Sequence, residues 1–134
     1  INSYSSRCPM KPISEQINEV LQQMEYKSDI LESYVIRKDG LIMTSSNPHV
    51  KNHMIAAMAA SLINIGEKTL NDIGKDNLEK VLIKGEKLQI VIMGSSTVAL
   101  VCAVESTANL GMVFLKMKRA VEKIFQIIQD AYID

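Results

Sequence analysis

The rhythm of apolar and polar positions changes several times along the chain, and each rhythm predicts an element. From Ile13 the apolar residues fall at Ile13, Ile17, Val20, Leu21 and Met24. Steps of four, three, one and three place them on one stripe of a helix that ends near Lys27, with Ser14 as its expected N-cap. Two β-rich runs follow, Ile30 to Lys38 and Leu41 to Thr44, separated by Asp39-Gly40. That dipeptide predicts a tight antiparallel hairpin whose turn needs positive φ at its central residues.

Asn47-Pro48 then supplies a helix start, and the second helix is expected to run to about Asp72. It is apolar on two sides. At 100° per residue Met54, Met58, Leu62 and Ile65 share one side, while Ala56, Ala59, Ala60 and Ile63 occupy much of the other. Only a strip through Ala57, Ser61 and Asn64 is partly polar. Such a helix must be covered on more than one side, and a small domain has one layer to offer. A second subunit is the expected other cover, with the alanines letting two backbones approach closely.

Three more strands are predicted. Leu78 to Lys84 and Lys87 to Met93 flank Gly85-Glu86, a second tight hairpin in which Gly85 is expected to take the difficult φ. Val98 to Val104 is apolar throughout, so it belongs mid-sheet with both faces covered. The last helix, Met112 to about Tyr132, should turn Leu115, Met117, Val121, Ile124, Phe125, Ile128 and Ala131 inward and Lys116, Arg119 and Lys123 outward. The expected order is α-β-β-α-β-β-β-α: an α/β chain of the α+β type, with a polar leader over residues 1–12 and one domain over 13–134.

Composition narrows the function. Fifteen basic and fifteen acidic side chains cancel in 134 residues, so no long-range field draws nucleic acid or anionic lipid to the chain. The densest apolar stretch, Met54 to Ile65, has ten apolar residues in twelve, too short to span a bilayer. Cys8 and Cys102 form no CxxC pair, which fits a reducing cytoplasm.

With these elements in place, the chain resembles the roadblock / dynein light-chain family over roughly residues 13–131. The resemblance is carried by Val35-Ile36 leading into Asp39-Gly40-Leu41, Ser45 after the hairpin, and the alanine run from Ala56 to Ala60. Ile83-Lys84-Gly85, Ile90-Val91-Ile92 and Asn109-Leu110-Gly111 complete it. The resemblance implies a five-stranded antiparallel sheet in the order 2-1-5-4-3, the middle helix on one face and the terminal helices on the other. It also implies a homodimer or heterodimer through the middle helix and third strand. Ala56, Ala59, Ala60, Ile63, Val81 and Ile83 are the interface residues expected on that basis. The function implied is a dimeric adaptor or regulator of a small Ras-like GTPase, acting by protein–protein binding. The alternatives are a small-molecule sensor with a pocket between sheet and helix, and a structural subunit of a larger complex.

Candidate chemistry is sparse. His49 and His53 are four apart at a helix start and could share a metal, but no third ligand with suitable spacing accompanies them. Gly94-Ser95-Ser96-Thr97 lacks the GxxxxGK[ST] pattern of a phosphate loop. Ser45 and Ser46 have no partnering base in any motif, and Asp39, Asp72, Asp76 and Glu79 read as loop acids. No enzymatic activity, cofactor, metal or nucleic-acid partner is expected, and no membrane insertion.

Overall fold

The computed structural model describes residues 11–47, 53–94 and 97–131. The elements are α1 (Ile13–Glu25), β1 (Ile30–Arg37), β2 (Ile42–Ser45), α2 (His53–Gly74), β3 (Lys80–Lys84), β4 (Leu88–Gly94), β5 (Val98–Glu105) and α3 (Leu110–Ala131). The five strands form one antiparallel sheet in the order β2-β1-β5-β4-β3, as expected. β5 is central because its side chains suit burial on both faces: Val98 to Cys102 and Val104 are all buried.

Two separate cores flank the sheet. On one face Ile17, Leu21 and Met24 of α1 and Val113, Met117, Ala120 and Ile124 of α3 pack over Val35, Val91, Leu100, Cys102 and Val104. On the other face Ala56, Ala59, Ala60 and Ile63 of α2 pack over Tyr34, Ile36, Ile92, Ala99 and Val101. The alternation of strand residues between the two sets follows from the period of two along each strand.

Local expectations needed several corrections. α1 begins at Ile13, so Ser14 lies inside its first turn; the Pro12 carbonyl accepts the Glu15 and Gln16 amides at 3.0 Å each. The β1–β2 connection is a three-residue loop. Gly40 donates to the Arg37 carbonyl at 3.0 Å, and Arg37 donates to the Leu41 carbonyl at 2.8 Å. Gly40 alone takes positive φ there, at 99°, the pattern of a turn followed by a left-handed residue. The register then slips between Val35–Thr44 and Ile36–Ile42, leaving Met43 as the extra residue of a bulge. Gly85 keeps an ordinary φ; its lack of a side chain matters because a Cβ would sit 2.9 Å from the Leu88 carbonyl oxygen. α3 starts where Asn109 Oδ1 accepts the Met112 amide at 3.3 Å.

The final helix differs from its expected facing. Met117 and Ile124 are buried and Val121 and Ile128 partly so, whereas Leu115, Phe125 and Ala131 are exposed. α3 shares its face of the sheet with α1 and reaches β3 through Phe114, whose ring centroid is 4.1 Å from Lys80 Nζ. Leu115 falls on the side of α3 opposite the buried Val113, Met117 and Ile124, and Phe125 on its flank away from α1.

Candidate interaction surface

The residues expected to form the subunit interface do not form one surface. Ala56, Ala59, Ala60 and Ile63 are 0%, 3%, 6% and 4% exposed, so they are core, pressed onto the chain's own sheet. Small side chains here let α2 lie close to the strands; a partner has no access to them. Val81 is half-buried in the same core, and Ile83 is 41% exposed on the edge strand.

The available face of α2 is its other apolar side. Met54, Met58 and Ile65 are 69%, 53% and 62% exposed, and Leu62 is half-buried beside them. Two contacts orient this stripe. Ala57 and Ala60, on one flank of α2, lie beside Gly40 of the β1–β2 loop; a Cβ on that glycine would be 3.7 Å from the Ala57 Cα. Gly66, on the opposite flank, lies against Leu78 and Val81. At 100° per residue the stripe lies opposite the buried alanines, between these two flanks and facing away from the sheet.

Among the described residues β3 is an edge strand, paired there only with β4, and Leu82 and Ile83 are both substantially exposed. An unpaired edge offers backbone donors and acceptors to another chain. The half of the molecule that carries α2 and β3 thus presents an exposed apolar helix stripe and an exposed edge strand, features of an interaction surface. Sequence periodicity had shown both sides of α2; which of them the sheet takes was decided by Leu78, Val81 and the Gly40 loop.

The remaining candidates serve local structure. Ser45 Oγ donates to the Asn47 carbonyl and accepts the Asn47 amide, and Ser46 Oγ accepts the Ser33 amide at 3.2 Å. Asp39 is paired with Arg37, and Asp76 accepts the Asn77 amide at 2.8 Å. Asp72 is exposed, and Glu79 is paired with Lys80 at 3.3 Å. His53 is exposed at the first residue of α2, while Cys8, His49, Ser95 and Ser96 lie outside the described residues. Among the described residues, no group of three or more His, Cys, Asp or Glu side chains is placed to hold a metal ion. Burial, reinforced by the negative charge of Glu25, pushes the Cys102 thiol well above its ordinary pKa. No described helix is long and apolar enough to cross a membrane.

A five-stranded sheet with one helix on one face and two on the other, and an open helix–edge surface, defines the class. The chain belongs to the Roadblock/LC7 domain family, whose model matches residues 16–104. It is 31% identical over 113 residues to an uncharacterized protein of Methanocaldococcus jannaschii, covering 84% of this chain and 96% of that protein. Its fold is similar to that of MglB from Myxococcus xanthus, with a TM-score of 0.81 at 18% identity, covering 93% and 96% of the two chains. A further MglB structure, described as having a tetrameric arrangement, matches with a TM-score of 0.80 at 20% identity and coverages of 91% and 94%.

Proposed function

We propose that this protein is a dimeric adaptor or regulator of a small Ras-like GTPase, working in the cytoplasm by protein–protein binding and without catalysis of its own. The observation that carries the reading is the exposed apolar stripe of Met54, Met58 and Ile65 on α2, on the helix that packs beside the edge strand β3. Two copies related by a two-fold axis would bury the helix stripes against each other and set β3 beside β3, extending the sheet across the pair. The tetrameric MglB of similar fold supports self-association in this architecture. Family membership supports the GTPase as partner, by analogy of fold.

The core beneath α3 argues against a ligand enclosed at its centre, and the clefts lined by Lys80, Met93 and Phe114 and by Asn18, Met43 and Ser45 lie open at the surface. Around Val35, Leu100 and Ile124, between sheet and α3, the packing leaves no room for a water-sized guest. The reading is tested by affinity capture from native cell extract, run in parallel with GDP and a non-hydrolysable GTP analogue. A small GTPase enriched in one nucleotide state is the expected outcome. Identical partners in both states, none of them a GTPase, would replace the reading with that of a structural subunit.

A further inference from the structure

On the opposite face of the sheet, α1 and α3 lie side by side, and the groove between them has an uneven charge. Its floor is apolar, from Val20 and Met24 of α1 and Ala120 of α3. Its α3 wall carries Lys116, Arg119 and Lys123, and none of these cations is paired with a carboxylate among the described residues. The α1 wall answers them with neutral Gln23. The acids of α1 are directed elsewhere: Glu19 pairs with Lys11, and Glu25 accepts a hydrogen bond from Ser33 Oγ at 2.5 Å.

We infer that this groove is a second docking site, for an acidic peptide segment of a partner protein that carries apolar side chains between its carboxylates. The three cations supply charge complementarity, and the floor accepts the apolar side chains. A flat anionic membrane fits less well. The outward crests of the two helices carry the exposed Glu15 and Glu19 of α1 and Glu122 of α3, whose charge a planar anionic surface would meet along with the groove's cations. The site shares no residue with α2 or β3, so this inference does not depend on the GTPase reading and each can fail alone. Together the two faces would let one domain hold two partners at once.

The probe is a twelve-residue peptide of alternating Glu and Leu pairs, titrated into the isotope-labelled full chain and followed by amide chemical shifts. Shifts should concentrate on α1 and α3, the affinity should fall as salt is raised, and a Gln–Leu control peptide should bind far more weakly. The charge reversal K116E/R119E/K123E and the neutral K116Q/R119Q/K123Q should each weaken binding about tenfold or more, on the scale of three lost charge pairs. Both should retain the wild-type thermal midpoint, since Arg119 and Lys123 are exposed and none of the three is ion-paired among the described residues. Absence of groove-localised shifts at millimolar peptide would overturn the proposal. So would equal binding of the control peptide or by the neutral variant. Binding to phosphatidylserine vesicles that the variants abolish, without peptide binding, would reassign the groove to a lipid surface and equally overturn it.

Discussion

Replacing Met58 with Asp tests the helix–edge surface at its middle. Met58 is 53% exposed on the side of α2 opposite its buried alanines, with Met54 and Ile65 at 69% and 62% to either side. Fully burying a side chain of this size contributes roughly 1.5–3 kcal/mol, so covering the exposed half of Met58 contributes about 1 kcal/mol per protomer. A two-fold pair buries it twice, and the new carboxylate would be desolvated without a partner in both copies. The expected loss is about 3 kcal/mol or more of association free energy, a rise of roughly a hundredfold in the dimer dissociation constant. Sedimentation equilibrium measures this directly. Because the same side chain is half exposed in the single chain, the variant's far-ultraviolet dichroism should match wild type once both are diluted to the monomer. An unchanged dissociation constant would show that α2 is not where the copies meet. A variant that unfolds on dilution while wild type stays folded would show that Met58 belongs to the core.

Other positions give contrasting outcomes. Ala60→Arg should destabilise the single chain by about 3 kcal/mol or more, because the guanidinium would enter the space between α2 and the sheet; a folded, monomeric variant in a denaturant titration would contradict the core assignment. Gly85→Ala should cost about 1–3 kcal/mol in the same assay, since its Cβ would lie 2.9 Å from the Leu88 carbonyl oxygen, and wild-type stability would refute that close approach. The folded Cys102 thiol holds its proton above the ordinary pKa of 9.0, whereas the unfolded thiol loses it there. Its contribution to stability is therefore complete below pH 9 and declines as pH rises beyond it. Chemical denaturation at pH 7 and pH 10 should show this loss shrinking in Cys102→Ala; an equal loss in both proteins would refute it.

The elements and their order along the chain were legible because they rest on strong periodic signals, while the sheet order and the two-faced arrangement followed from the resemblance to the roadblock family. Asp39-Gly40 marked a hairpin, Val98 to Val104 announced a central strand, and the stripes of α1 and α2 were visible in spacing alone. Less legible was anything set by contact between distant segments. Spacing shows that α2 has two apolar sides and gives no sign of which one meets the sheet. Alanines suit a close approach to strands as well as to a partner helix, so their presence alone does not tell the buried side from the open one. Leu115 and Phe125 read as inward by hydrophobicity, but the buried stripe of α3 runs through Val113, Met117, Ala120 and Ile124 and they remain exposed. At Gly85 the residue type was informative and its reason was not: the neighbouring Leu88 carbonyl, not backbone φ, is what excludes a side chain.

The central claim is that α2 and the β3 edge are covered by a second copy, and hydrogen exchange across a dilution series tests it without any substitution. β3 and β2 are both sheet edges, so each is its own control for the other. The account predicts that amides of Lys80–Lys84 and of the Met54–Ile65 stretch gain protection as the protein associates, while those of Ile42–Ser45 do not change. Protection that rises at β2 instead, or that stays flat at β3 through the concentration range of association, would contradict it.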